Sequence, residues 1–205
     1  MYQLPAQFLI PILPSPRYLP NDEIKADSIG NPVLNNKLCL LSCNLLEDKL
    51  KIRYPSLWKY LQTGIEAGIH ERYLCKNRSP WYSQEERPAS MFLCTYMGRQ
   101  GNGNRRPFRF ILNHSKATAA NVYLMLYPKP ALERALKEKP ELVRAVWKAL
   151  NNISPETLVE EGRVYGGGLY KIEPRELCNT PADSILDVLP RSFSRCVEQT
   201  NLFDQ

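Results

Sequence analysis

The stretch from residue 91 to residue 127 constrains the fold most, because its pattern indicates consecutive strands. Residues 91–97, 108–113 and 120–127 are apolar and rich in aromatic and β-branched side chains, which is typical of strands. Short connections between consecutive strands favour an antiparallel meander. We therefore predict a core built on an antiparallel sheet.

The pattern changes to helix after Pro130. Apolar residues recur there at helical spacing over two segments that Pro140 separates. They are Leu132, Leu136, Leu142, Val143, Val146 and Leu150. A third helix is predicted to begin at Ser154 as N-cap with Pro155 in its first turn, and to end in a tight loop at residues 166–168. Strands followed by helices predict an α+β fold with the helical segment C-terminal to the sheet.

The N-terminal part divides into shorter elements. Residues 8–13 are apolar but interrupted by proline, which favours an edge strand or an extended connection. Residues 38–46 are compatible with either a strand or a helix. A helix is predicted near residues 55–67, with Pro55 in its first turn. The predicted organisation is a mostly β core at 1–130, a helical segment with the triple-glycine loop packed on it at 131–181, and a weakly structured tail at 182–205.

The basic charge of the chain is concentrated in one segment. The formal net charge of the 205 residues is +6, and residues 87–132 carry seven cations and no acid. The cations are Arg87, Arg99, Arg105, Arg106, Arg109, Lys116 and Lys129. A confined basic segment predicts an anionic partner, with nucleic acid the first candidate.

The sequence gives little support for a membrane location, a metal site or a catalytic site. No apolar stretch is long enough for a transmembrane helix, and prolines interrupt the apolar N-terminus, so we expect a cytoplasmic protein without a membrane partner. The six cysteines form no CxxC pair, and we expect Cys39 and Cys43 to be buried thiols rather than metal ligands. Nucleophile-elbow, P-loop and metalloprotease motifs are absent, so we predict no catalytic residue in this chain.

Contact with nucleic acid is supported by particular residues. Four arginines surround a turn-forming loop rich in glycine and asparagine at residues 98–104: Arg99, Arg105, Arg106 and Arg109. Asn113 and Lys116 follow as supporting residues, with asparagine suited to an adenine edge. Trp81 and Tyr82 lie in a polar loop where aromatic rings can stack on bases. The alternative is that Trp81 and Tyr82 pack in the core and the arginines form a solvated rim.

Several segments also carry a family resemblance. They are Ile10-Pro11-Ile12-Leu13-Pro14-Ser15-Pro16-Arg17-Tyr18-Leu19, Tyr54-Pro55-Ser56-Leu57-Trp58-Lys59-Tyr60-Leu61, Arg72-Tyr73-Leu74 with Trp81-Tyr82, Thr95-Tyr96-Met97-Gly98-Arg99, Arg106-Pro107-Phe108-Arg109-Phe110-Ile111-Leu112-Asn113, and Gly162-Arg163-Val164-Tyr165-Gly166-Gly167-Gly168-Leu169-Tyr170-Lys171-Ile172-Glu173-Pro174-Arg175-Glu176-Leu177. In this order the chain resembles the C-terminal target-recognition region of large adenine-N6 DNA methyltransferases of restriction-modification and phage-exclusion systems.

The resemblance implies a division of labour. Enzymes of that family bind S-adenosylmethionine in a Rossmann-like domain and methylate adenine with an Asn/Asp-Pro-Pro-aromatic motif. The chain's Asn31-Pro32 continues with Val33-Leu34 and lacks both the second proline and the aromatic residue. We therefore expect no cofactor and no catalysis in this chain, whose partners would be double-stranded DNA and a catalytic methyltransferase domain or subunit.

The resemblance also draws attention to the triple glycine. Arg163 and Lys171 flank it, and we expect them to contact the DNA backbone together with the arginines near residue 100.

Two other functions stay open for this chain. One is a basic interaction module that docks an acidic partner subunit, and the other is an enzyme with an unfamiliar site.

Overall fold

A computed structural model describes residues 3–99, 106–181 and 183–190 and the main chain of residues 203–204. The strands are β1 (Leu9–Ile12), β2 (Glu23–Ile24), β3 (Leu38–Leu41), β4 (Phe92–Thr95), β5 (Met97–Arg99), β6 (Phe110–Asn113), β7 (Tyr123–Pro128), β8 (Arg163–Tyr165), β9 (Leu169–Lys171) and β10 (Phe203–Asp204). The α-helices are α1 (Glu47–Arg53), α2 (Pro55–Glu66), α3 (Tyr73–Lys76), α4 (Pro130–Glu138), α5 (Glu141–Asn152), α6 (Pro155–Glu161), α7 (Pro174–Asn179) and α8 (Asp183–Val188). The predicted α+β class is confirmed.

The chain divides into two compact units. Unit 1 consists of Met1–Ile12 and Asn36–Pro88, and unit 2 consists of Leu13–Asn35 and Ala89–Gln205. Within unit 2, the sheet and the helices that follow it share one core. The predicted division near residue 130 stays a prediction. Of the predicted tail at 182–205, α8 and β10 are described, and residues 182, 191–202 and 205 lie outside the described residues.

Unit 1 packs a two-stranded antiparallel sheet and short helices around its own core. β1 pairs with β3, which confirms the edge strand expected at 8–13 and resolves 38–46 as a strand followed by a loop and α1. The helix predicted near 55–67 is α2, and Pro55 lies in its first turn. The chain leaves α2 at Gly68, whose φ of 67° lies in the left-handed region that favours glycine.

Unit 2 is built on a five-stranded mixed sheet with the strand order β10-β7-β4-β6-β2. β4 lies in the centre and pairs antiparallel with both β6 and β7, while β2 pairs parallel with β6. The expected meander is therefore wrong, since β6 and β7 follow one another in sequence but flank β4 on opposite sides. The connection between them crosses the sheet and buries Ala117 and Ala119.

Both faces of this sheet are buried, which explains its continuous apolar strands. On β4, Phe92 and Cys94 pack with the helices, whereas Leu93 packs on the opposite face with Leu13 and the other residues that cover it.

The helical prediction after Pro130 corresponds to α4, α5 and α6. The predicted N-cap at Ser154 is confirmed, because its Oγ accepts a hydrogen bond from the main-chain N–H of Thr157 at 3.1 Å. No helix in the described part of the chain is long and apolar enough to cross a membrane.

Candidate nucleic-acid interface

The predicted strand at 91–97 splits between two sheets. β4 ends at Thr95, and β5 leaves the five-stranded sheet to join a separate three-stranded antiparallel sheet with the order β5-β9-β8. Tyr96 is the junction: its N–H donates to the Val122 carbonyl, and its carbonyl accepts from the Ile172 N–H. This break places Arg99 at the end of β5, on the small sheet that also carries the triple glycine.

The register of the small sheet brings three predicted contact residues onto one face. Lys171 lies opposite Met97 on one side and Arg163 on the other, and Arg99 lies opposite Leu169, which in turn lies opposite Tyr165. Residues two apart on a strand share a face, as do direct cross-strand partners. We call this the basic sheet face, made of Arg99, Arg163, Lys171, Met97, Leu169 and Tyr165.

The basic sheet face combines charge with apolar surface. Arg99 and Arg163 are exposed, and Tyr165 and Met97 retain 44% and 42% of their accessible surface. Cations beside an exposed aromatic ring form the kind of surface that binds nucleic acid, since the cations attract phosphates and the ring packs against sugars or bases.

Two glutamates hold the cations on this face. Lys171 Nζ lies 2.6 Å from Glu173 Oε1, and Arg163 Nε donates to Glu176 Oε1 at 2.7 Å. The hydrogen bond with Glu173 raises the pKa of Lys171, and the same bond lowers the pKa of Glu173. Both cations therefore stay charged at neutral pH, and a phosphate that binds them competes with these carboxylates.

The same glutamates begin α7 as a capping box. The Glu173 side chain accepts from the main-chain N–H of Glu176, and the Glu173 N–H donates to Glu176 Oε2 at 2.7 Å. The Tyr96 hydroxyl also donates to Glu173 Oε1 at 2.8 Å. The start of α7 thus fixes the position of Arg163 and Lys171 relative to the small sheet.

Arg99 contacts the turn of the β8-β9 hairpin. Its Nη1 donates to the Gly167 carbonyl at 2.9 Å. Gly167 and Gly168 have φ values of 72° and 67°, so the turn uses the left-handed backbone that glycine adopts without strain. Arg99 is consequently tied to the tip of the hairpin while its side chain remains exposed.

Arg106 and Arg109 line a polar cleft of 460 Å³ in unit 2. Arg106 Nη1 donates to the carbonyls of Asn151 and Ile153 at the end of α5, which is a favourable place for a cation. Arg109 is bound more extensively: Nε donates to Asp22 Oδ1 at 2.6 Å, and its two other nitrogens donate to main-chain carbonyls.

Arg109 therefore joins the strand β6 to the segment that precedes β2. Its side chain is only 24% exposed, and its carbonyl acceptors belong to Pro16 and Leu19. Arg106 remains exposed beside it. Arg105 and the loop at 100–104 lie outside the described residues.

Asn113 and Lys116 take different positions. Asn113 is 3% exposed; its amide nitrogen donates to the carbonyls of Ser90 and Ala117, and its oxygen accepts from the Ser115 hydroxyl. Its polar atoms hold the interior together and do not face solvent. Lys116 is exposed, with its aliphatic chain over Gly30.

Trp81 and Tyr82 belong to the core of unit 1. Tyr82 is 4% exposed, its hydroxyl donates to the Leu45 carbonyl at 2.6 Å, and burial raises its pKa to about 12. Trp81 packs edge-on against Tyr82 and over Gly64. Tyr82 has no exposed face for a base, which agrees with the core-packing alternative left open by the sequence.

The structure reveals site residues that the sequence analysis missed. Met97, Leu169 and Tyr165 complete the basic sheet face, and Glu173 and Glu176 orient its cations. The available signal was the alternation of polar and apolar residues on each side of the triple glycine, which is typical of a β-hairpin. The prediction that residues 166–168 end the preceding helix is wrong, because that helix ends at Glu161 and β8 follows it.

Only one of the two thiols that we expect to be buried is buried. Cys43 is buried in unit 1, whereas Cys39 on β3 is exposed. Among the residues that the structure describes, no cluster of His, Cys, Asp or Glu side chains is suited to hold a metal ion.

Comparison with known proteins assigns the chain to a family. Residues 2–200 match the family described as the C-terminal domain of the type II methyltransferase M.Eco57I. The chain belongs to this family. The match covers nearly all of both units. Both the small sheet and the five-stranded sheet therefore belong to the part of the chain that matches this family.

Two relatives extend the comparison. The chain is 31% identical over 132 residues to the type II methyltransferase M.XamI of Xanthomonas campestris pv. amaranthicola, over 64% of this chain and 22% of that protein. It is 27% identical over 119 residues to the type II methyltransferase M.AccI of Acinetobacter calcoaceticus, over 58% of this chain and 20% of that protein. The matched segments span about a fifth of the length of these relatives. No solved structure matches the chain significantly.

The described part of this M.Eco57I C-terminal domain homologue lacks the Rossmann-type arrangement of strands, turn and helix. A Rossmann-type site needs a strand, a glycine-rich turn and a helix in succession on a parallel sheet. Here the parallel pairing of β2 with β6 involves two residues, and the turn at 166–168 leads into another strand. The connection from β7 to α4 is Lys129, without a glycine.

Proposed function

We propose that the chain is the DNA target-recognition domain of an adenine-specific DNA methyltransferase of a restriction-modification system. In this proposal it binds duplex DNA and positions the target adenine for a catalytic domain that lies outside these 205 residues. Membership in the M.Eco57I C-terminal domain family supports the methyltransferase context, and the basic sheet face supports the contact with DNA.

Adenine methylation explains why a separate recognition domain is needed. The N6 amino group of a stacked adenine is inaccessible to a catalytic centre, so the base must be flipped out of the duplex. Contacts with phosphates fix the register of a protein on the duplex while other contacts read the sequence. A domain that carries these contacts leaves the catalytic domain to bind S-adenosylmethionine and transfer the methyl group.

The single observation that carries the proposal is the convergence of Arg99, Arg163 and Lys171 on one face of the small sheet, where both arginines are exposed. Arg163 and Lys171 lie more than sixty positions from Arg99 in sequence, yet strand pairing brings all three residues into one sheet. Arg106 and Lys116 add exposed positive charge in unit 2. Arg109 and Asn113 act through the fold, because all three guanidinium nitrogens of Arg109 bind acceptors within the chain and Asn113 is only 3% exposed.

The test compares charge removal at two places. Fluorescence anisotropy with a labelled duplex is measured for the wild-type chain and for the triple variant Arg99→Ala, Arg163→Ala, Lys171→Ala. A matched triple variant removes three exposed cations of unit 1: Arg53, Lys59 and Lys76. Equal net charge in the two variants separates a specific face from general electrostatic attraction.

The proposal expects micromolar or tighter binding at 50 mM salt, a loss of at least about tenfold in the first variant, and a smaller loss in the control. Absence of binding by the wild-type chain would contradict it. Binding to an acidic partner protein without binding to DNA would support the interaction-module alternative. Methyl transfer by the chain alone would contradict the assignment of catalysis to another domain.

A further inference from the structure

The turn of the β8-β9 hairpin contains three consecutive glycines with different structural needs. Gly167 and Gly168 have positive φ values of 72° and 67°, which explains glycine at both positions. Gly166 does not have a positive φ. A Cβ atom built on Gly166 would meet no atom within 4 Å, so the folded chain has room for a side chain there.

A glycine that neither backbone conformation nor packing requires leaves its main chain open to a molecule outside the fold. The main-chain N–H groups of residues 166–168 support this. Within the described residues, these three groups make no hydrogen bond to another part of the chain. Successive N–H groups in a turn that passes into left-handed backbone form a concave site for an anion.

The charges around the turn are also suitable for an anion. The Arg99 guanidinium is bound to the Gly167 carbonyl, so a cation lies directly at the turn. Arg163 lies on the same hairpin, where it is paired with Glu176. The two carboxylates at the start of α7, Glu173 and Glu176, are themselves bound by Lys171 and Arg163.

We propose that the Gly166–Gly168 turn binds a backbone phosphate of duplex DNA through its main-chain N–H groups, with Arg99 alongside. The inference rests on the proposed function, since it names the part of the DNA that this hairpin takes. Phosphate oxygens accept hydrogen bonds from main-chain N–H groups at short range, and Gly166 allows the close approach. Arg99 adds a charge that stays fixed to the turn.

The experiment places a side chain in the open space. Gly166→Leu is compared with wild type by anisotropy with a labelled duplex over a series of salt concentrations. Because the space around the Cβ position of residue 166 is open, the melting temperature is expected to be unchanged. Affinity for DNA is expected to fall about tenfold, as for the loss of hydrogen bonds to a charged group. Loss of this phosphate also removes its neutralisation by Arg99, so the slope of log K against log salt is expected to become shallower by about 0.9.

Ala67→Leu is the matched control, because it adds a leucine at an exposed position of unit 1. It is expected to leave both affinity and slope unchanged. If Gly166→Leu lowers the melting temperature, Gly166→Ala adds only a methyl group and tests the same approach.

The outcomes separate this inference from the proposed function. Wild-type chain that fails to bind DNA contradicts the proposed function itself. Wild-type binding that is weakened by Arg163→Ala but unaffected by Gly166→Leu and Gly166→Ala overturns only the phosphate site at the turn. An NMR titration distinguishes the source of the phosphate: amide shifts of residues 166–168 with inorganic phosphate but not with DNA also overturn it.

Discussion

Gly98 is the position where one added methyl group has the most severe predicted effect. It lies in the middle of β5, opposite Tyr170 of β9. A Cβ atom at this position would lie 1.6 Å from the carbonyl oxygen of Pro107 and 2.7 Å from its carbonyl carbon. The clashing atoms all belong to the main chain of Pro107, so no side-chain rotation can relieve the clash.

The size of the clash sets the expected cost. To bring the methyl group to a barely tolerated distance of about 3.2 Å, β5 and the segment at Pro107 must separate by about 1.6 Å. Displacement of that size breaks the pairing of β5 with β9, which involves only three residues on each strand. We expect Gly98→Ala to lower the free energy of unfolding by about 2 to 4 kcal/mol, at or above the upper end of the usual cost of overpacking, because the clash is with main chain.

Urea denaturation followed by circular dichroism measures this loss, with Gly166→Ala as the matched control. The control adds the same methyl group to the same small sheet, in open space, and is expected to change stability by less than about 0.5 kcal/mol. Gly98→Ala is also expected to weaken DNA binding, since β5 carries Arg99. Equal denaturation midpoints for Gly98→Ala and wild type would refute the reasoning.

Three further predictions concern polar groups in unit 2. Arg109→Ala removes the ion pair with Asp22 and two bonds to carbonyls, and we expect a loss of about 2 to 3 kcal/mol in urea denaturation. Asn113→Ala leaves two buried carbonyls without their donor and should cost about 2 to 4 kcal/mol by the same measurement. Hydrogen bonds from Arg144 lower the pKa of Glu23 below its ordinary 4.5, so its stabilising effect is present above that pH and is lost as the pH falls through the folded-state pKa. Stability measured from pH 7 downward should therefore show Glu23→Gln less stable by up to about 1 kcal/mol at pH 7, with a difference from wild type that shrinks as the pH falls below 4.5.

Each of these predictions has a result that contradicts it. Arg109→Lys should not restore stability, because an ammonium group cannot reach three separate acceptors, and full rescue would show that charge alone matters. An Asn113→Ala variant as stable as wild type would mean that its two carbonyls find other donors. A stability difference for Glu23→Gln that does not shrink as the pH falls below 4.5 would exclude the ion pair as its source.

The pattern of apolar residues was sufficient for most element positions in unit 2. The helices after Pro130 and the N-cap at Ser154 follow directly from 3.6-residue spacing and capping chemistry. The sequence predicts the strands β4, β6 and β7, but it does not predict that β4 lies between the other two. Local sequence does not encode which strand becomes central, because burial of both faces gives each strand the same continuous apolar pattern.

The sequence predicts one strand at 91–97, whereas the structure has two strands in different sheets, separated at Tyr96. Tyr96 is compatible with a strand by propensity, and nothing local indicates that the chain changes sheets there. The indication was Gly98, since a glycine within a strand pattern often marks a close approach of main chain. Its neighbour proved to be Pro107, nine residues along the sequence.

The charged residues of the candidate site could be predicted from the sequence, but their arrangement in space could not. Arg99, Arg163 and Lys171 were selected from the sequence, and pairing of strands across more than sixty residues brings them together. Arg109 and Asn113 were selected by the same chemistry, but their donors bind carbonyls of the chain. Composition cannot separate these cases, because a guanidinium or an amide suits a DNA group and a buried carbonyl equally well.

The salt dependence of DNA binding by the wild-type chain tests the central claim most directly. Five exposed or partly exposed cations belong to the proposed contact set within the described residues: Arg99, Arg106, Lys116, Arg163 and Lys171. If each neutralises one phosphate, log K falls with log salt at a slope of about −4.5, roughly 500-fold between 50 and 200 mM salt. A slope near this value that becomes shallower in the Arg99, Arg163 and Lys171 alanine variant is the predicted result. No binding at 50 mM salt, or a slope unaffected by that variant, would contradict the account.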